Sequence, residues 1–120
     1  MAWSFAYPAA GQAQGVNGFQ WWGTWRTLKG PVQMRLTDVT SGDYRWSTCT
    51  MRVTLRNSAG QQLGTGVLSK TWGVTPGFTQ LAHFTTAQTV QLGTWFEFAN
   101  LSPYSGADWT STLRWDPALA

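Results

Sequence analysis

"TCTMRVTLRN", residues 48–57, alternates without a break. Cys49, Met51, Val53 and Leu55 are apolar, and Thr48, Thr50, Arg52, Thr54 and Arg56 between them are polar. Successive side chains of an extended strand point to opposite faces. The stretch therefore reads as a strand with one buried and one wet face. "PVQMRLTD" (31–38) repeats the pattern, with Val32, Met34 and Leu36 against Gln33, Arg35 and Thr37. Strands with one wet face imply antiparallel pairing.

Outward from these two stretches, period two continues. "QLGTGVLSK" (62–70) reads as a strand weakened or bulged at Gly64 and Gly66. "TQLAHFTT" (79–86), "TVQLGTWFEFANL" (89–101) and "WTSTLRW" (109–115) supply further strands. "NSAGQQ", "TPGF" and "SPYSGAD" between them carry turn chemistry. No segment shows a 3.6-residue period. The prediction is an all-β chain with little or no helix, a two-sheet antiparallel sandwich of jelly-roll or Greek-key type, with a small β-barrel as the alternative. Residues 1–18 read as an extended N-terminal arm in which Trp3, Phe5 and Tyr7 alternate with small residues. Residues 19–120 read as one sandwich domain.

The chain has 120 residues, which suits a single domain with a core of its own. Charged residues are 11% of it and aromatic residues 15%. Charge is thus well below the roughly 25% of an average domain, and aromatic surface is plentiful enough to drive folding. Polarity comes from Thr, Ser, Gln, Asn and Gly, a composition that suits a turn-rich β protein outside the cell. The expectation is a secreted mature form whose signal peptide is not part of this sequence. The net charge of +3 is not gathered into a basic run, so nucleic acid is not an expected partner. Apolar runs fall short of a membrane-spanning helix. The single cysteine, Cys49, shares its face with Met51 and Val53 and is expected to be buried and inert.

Nine tryptophans are more than the core of so small a sandwich needs, since each buries roughly 150–250 Å². Some should lie on the surface. In "FQWWGTWRTLKG" (19–30), Phe19, Trp21, Gly23 and Trp25 share one face. Gln20, Trp22, Thr24 and Arg26 share the other. The second set is the more polar, so Trp22 and Arg26 are predicted to face outward. Trp46 falls on the face of Thr48, Thr50 and Arg52, and Trp95 on that of Glu97; both are predicted outward by the same parity.

Catalytic and metal chemistry find no support. Glu97 is the only acid inside an apolar strand, and glycoside hydrolysis needs two placed carboxyls. The four Asp residues sit in turn-like settings such as "SGDY" and "GADW". One His and one Cys do not make a zinc site. No cofactor motif occurs. The chain is therefore expected to be a non-enzymatic binding module. Its leading ligand class is carbohydrate, stacked on surface tryptophans, with Trp22, Trp46, Trp95, Arg26, Arg52 and Glu97 as ligand-binding residues. The Trp- and Thr-rich composition resembles that of bacterial polysaccharide-binding modules, a likeness of class that carries no motif. Such modules often have a bracketing cysteine pair, where this chain has one Cys. The alternative is a protein-interaction or structural subunit of a secreted or phage-like assembly. Interfaces enrich aromatics and Arg and deplete Lys and Glu, and this chain has two Lys and one Glu.

Overall fold

The computed structural model describes residues 4–13, 18–41, 48–98 and 107–120. Six strands occupy most of them: β1 (Ser4–Ala13), β2 (Gly18–Ser41), β3 (Thr48–Arg56), β4 (Gln62–Thr71), β5 (Thr79–Phe98) and β6 (Ala107–Trp115). A 3-10 turn, Pro117–Leu119, follows β6. The protein is all-β, every strand pairing is antiparallel, and no α-helix occurs among the described residues. No helix is long and apolar enough to cross a membrane.

The alternation of residues 48–56 is realised in β3. Cys49, Met51, Val53 and Leu55 are buried, and Thr48 and Arg52 are exposed. Residues 31–36 behave likewise, with Val32, Met34 and Leu36 fully buried. The phase then changes. Leu36 stands opposite Ser111 but Asp38 opposite Thr110, so Thr37 is an extra residue on β2. The bulge moves burial from even to odd positions, and Val39 joins the core.

All six strands belong to one sheet, in the order β1-β6-β2-β5-β3-β4, where alternation alone had suggested two packed sheets. The sheet folds over on itself. β4 is hydrogen-bonded to β3, yet a Cβ added at Gly64 would fall 2.6 Å from the Leu81 carbonyl oxygen of β5. One added at Gly66 would fall 2.6 Å from the Leu81 side chain. β4 therefore crosses against the first half of β5, while β3 pairs with the second half. Glycine at 64 is required by that backbone approach, while at 66 it makes room for the Leu81 side chain. Between the two halves lies one apolar cluster, with Leu28, Met34, Met51, Leu68, Phe96, Trp109 and Leu113 among its members.

β5 can serve both halves because its ladder with β2 is broken. Leu28 pairs with Gln88 and Gly30 with Phe84, so Thr85, Thr86 and Ala87 stand against Lys29 alone. The residues expected to form a loose arm include β1, which pairs with β6 at one margin of the sheet. Its ladder slips between Ala6 and Ala9, which places Pro8 in the irregularity. Proline is tolerated there because an edge strand at a bulge has no ladder bond to lose. Trp3 lies outside the described residues.

Cys49 is 1% exposed, and burial pushes its thiol from the ordinary 9.0 up to about 11, against the opposing influence of Lys70 across the ladder. The unfolded chain loses this proton first. Stability is therefore unaffected by Cys49 below about pH 9, and falls as pH rises from 9.0 towards 11. Urea melts of the parent and Cys49→Ala across this window should show the parent alone carrying this alkaline loss. A second measurement checks the register. Leu55→Ala should cost about 2–5 kcal/mol, the range for truncating a buried leucine, and Arg52→Ala less than about 0.5 kcal/mol, as at exposed positions. Reversed costs in urea would show that the faces of β3 are misassigned.

Candidate functional site

Residues directly opposite each other in a ladder share a face. Three rows of the ladder across β2, β5 and β3 define the outer face of this half of the sheet. In the first, Phe19 stands opposite Trp95, and Trp95 opposite Arg52. In the second, Trp21 stands opposite Gly93, and Gly93 opposite Thr54. In the third, Trp25 stands opposite Gln91, and Gln91 opposite Arg56. Four aromatic residues from two neighbouring strands therefore lie on one surface, opposite in facing to the core cluster. Phe19 is 44% exposed and Trp25 43%, while Trp21 and Trp95 are half-buried.

Polar groups hold these rings in place. The Arg56 guanidinium lies over the Trp21 ring, 3.7 Å from its centroid. Arg56 Nε donates to Gln91 Oε1 at 2.9 Å, and Gln91 Nε2 donates to the Trp22 carbonyl at 2.9 Å. The guanidinium is thus tied at one end to the β2 backbone and stacked at the other. Phe19 meets Trp21 edge to face, with centroids 4.9 Å apart. Trp95 Nε1 donates to Glu97 Oε1 at 3.1 Å. Gly93 is the floor beneath the pair: a Cβ there would fall 2.6 Å from both the Phe19 and Trp21 rings.

The predicted ligand-binding residues divide accordingly. Trp95, Arg52 and Glu97 lie together on this outer face, as parity predicts. Trp22 and Arg26 share a face with each other, but it is the inner one. Trp22 is half-buried and packs against the core, meeting Trp109 edge to face at 5.6 Å. Its Nε1 donates to Thr94 Oγ1 at 2.9 Å. Arg26 stands opposite buried Val90, and burial lowers the pKa of its guanidinium. The parity sets were drawn correctly for this stretch; the choice between them was reversed. Trp46 lies outside the described residues.

Phe19, Trp21, Trp25, Arg56 and Gln91 were not among the predicted residues. A polar majority assigned their β2 partners to the outside, yet here the outer face carries more aromatic surface than the inner one. The sequence does contain one usable signal. Gly93 is an isolated glycine inside a strand, on the parity of Trp95 and Glu97, and such a glycine marks a close approach by something bulky.

Among the described residues, no group of three His, Cys, Asp or Glu side chains gathers where it could hold a metal. Aromatic faces flanked by fixed guanidinium, amide and carboxylate groups are suited to stacking and hydrogen bonding. No family model and no curated protein matches this chain.

Gly93→Ala tests the construction of the face. The added methyl must displace the Phe19 and Trp21 rings, with a stability loss of about 1–3 kcal/mol, as for other overpacked sites, and a changed near-ultraviolet circular dichroism spectrum. Gly23→Ala, where nothing lies within 4 Å of the new methyl, should leave that spectrum unaltered. Identical spectra for the two variants would mean that the rings do not rest on Gly93.

Proposed function

We propose that this protein is a non-enzymatic carbohydrate-binding module of secreted type. In it the folded sheet acts as a β-sandwich and the outer face of β2, β5 and β3 is the binding surface. One observation carries the proposal: Phe19, Trp21, Trp25 and Trp95 lie on a single outer face, and contacts outside the core cluster hold Phe19, Trp21 and Trp95 there. A sugar ring has an apolar C–H face that stacks on an aromatic ring, and hydroxyls at its rim that need hydrogen-bond partners. Phe19, Trp25 and Trp95 supply the stacking surface. Arg52 and Glu97 supply charged groups beside it. The rings are held before a ligand arrives, so less side-chain freedom is lost on binding.

A protein partner is the second reading. Trp72 is 57% exposed and Val74 55%, both in the β4–β5 connection. Exposed apolar groups gathered in one region are a common mark of protein interfaces. A partner docking there would leave Trp25 and Phe19 in solvent, whereas a glycan on the outer face would cover them.

Affinity electrophoresis against a panel of soluble polysaccharides, followed by titration of single variants, separates these readings. Trp95→Ala and Trp25→Ala should each melt close to the parent, and the better anchor should lose ~2 kcal/mol or more of binding energy, the size of effect found at aromatic hot spots. Trp22→Ala should instead lower the melting midpoint, because its ring packs on Trp109 and its N–H is bonded to Thr94. If Trp95→Ala and Trp25→Ala melt as low as Trp22→Ala, or bind the selected glycan like the parent, the outer-face reading fails. Loss of partner binding in Trp72→Ala alone would favour the protein reading.

A further inference from the structure

Among the described residues, β2 is paired on one side only beyond Met34. β5 begins at Thr79, opposite Met34, and the rest of β2 is hydrogen-bonded to β6. Among the described residues, β4 is likewise paired only with β3. Folding of the sheet brings these two margins towards each other, and between them lies a pocket of about 240 Å³. Arg35 and Leu36 line it from β2, Val67, Leu68 and Ser69 from β4, and Thr79 from the start of β5. Ligand pockets usually run to roughly 300–1,000 Å³. This one is sized for a single substituent of a larger ligand.

Arg35 is the cationic residue among those that line the pocket. The Arg35 guanidinium lies 4.5 Å from the centre of the Phe78 ring, and that of Arg114 lies 3.7 Å from the same centre. Two like charges are thus held against one ring. Arg114 is anchored by two hydrogen bonds from Nε and Nη2 to Gln33 Oε1. Arg35 is half-buried, and its Nε is buried without a hydrogen-bond partner. Among the described residues no carboxylate lines the pocket, while the hydroxyl-bearing residues Ser69 and Thr79 do. An oxyanion seated there would accept charge-assisted hydrogen bonds from Arg35.

The pocket is continuous with the outer aromatic face. Val67, which lines it, stands opposite Arg52, and Arg52 stands opposite Trp95. We propose that the recess between β2 and β4 receives the carboxylate or sulfate of an acidic sugar, part of a glycan whose other rings stack on the outer face. This rests on the carbohydrate reading of that face. Ligand preference is then set by Arg35, with stacking residues supplying affinity common to acidic and neutral chains.

The test uses a linear hexasaccharide containing uronic acid, its carboxyl-reduced neutral counterpart and a sulfated neutral counterpart, titrated calorimetrically. The parent should bind at least one acidic form about tenfold more tightly than the neutral one, the effect of one charge-assisted hydrogen bond. The form that gains shows whether carboxylate or sulfate is the natural group. Arg35→Gln should bind all three at the neutral level. Ser69→Glu, at an exposed position, should do the same and keeps the test usable if Arg35→Gln fails to fold. Trp95→Ala should weaken all three and retain the acidic preference. Equal affinities in the parent would overturn the anion pocket while leaving the stacking face intact, provided Trp95→Ala still weakens binding. If no hexasaccharide binds, the stacking reading fails for these sugars, and amide NMR titration with glucuronate against glucose decides the pocket. Shifts at Ser69 and Thr79 specific to glucuronate and lost in Arg35→Gln would sustain it; their absence would overturn it.

Discussion

The ladder between β2 and β5 is the constraint on which the other features depend. These strands have 24 and 20 residues, and each must serve both halves of a sheet that folds around one core. A continuous ladder of that length would twist but not fold over. The ladder is interrupted instead, by Thr85, Thr86 and Ala87 against Lys29 and by Trp22, Gly23 and Thr24 against Leu92. The first interruption lets β5 turn across β4, where Gly64 admits its backbone and Gly66 the Leu81 side chain. The second sets Trp22 into the core, with Trp21 and Trp25 on the outer face either side of it. One device, extra residues in a paired strand, produces both the enclosure of the core and the aromatic surface.

This arrangement also explains why so many tryptophans are compatible with so small a protein. Trp109 is buried, and Trp22 and Trp115 pack half-buried against the same cluster. Trp21, Trp25 and Trp95 are on the other side of the sheet. Large aromatic rings on a solvent-facing surface contribute little to folding where they stay wet, and they expose apolar area that invites association. Here each of two rings is given a polar partner: Arg56 over Trp21 and Glu97 at the Trp95 N–H. Such partners restrict rotamers without covering every face, and a restricted ring is a better stacking surface than a mobile one.

Strand type was readable in the residues because alternation needs only local information. Residues 48–56 bury four apolar positions whatever their partners are, and the structure places all four inside. Which face of residues 19–26 is inner depends on something non-local. The ladder sets Phe19 opposite Trp95 and Trp21 opposite Gly93, both outward-facing positions of β5. Counting polar residues within the stretch gives the opposite result, because an outer face that carries Phe19, Trp21 and Trp25 inverts the usual distribution of apolar side chains. The same logic held for Trp95, Glu97 and Arg52, where a charged neighbour fixed the direction. The single folded sheet was not legible either, since strand pairing order leaves no trace in period two.

The glycines connect these levels. Gly64 and Gly66 were visible as breaks in a strand pattern, and Gly93 is an isolated glycine two residues before Trp95. Each has an atom of another strand at the place where a side chain would stand. At 64 and 66 that atom belongs to β5, and the contact encloses the core. At 93 it belongs to Phe19 and Trp21, and the contact levels the outer surface. In a sheet otherwise rich in threonine and branched residues, a glycine whose side chain space is occupied by a neighbour has been selected by packing and not by turn chemistry. The outer-face contact at Gly93 lies away from the core cluster that holds the two halves together.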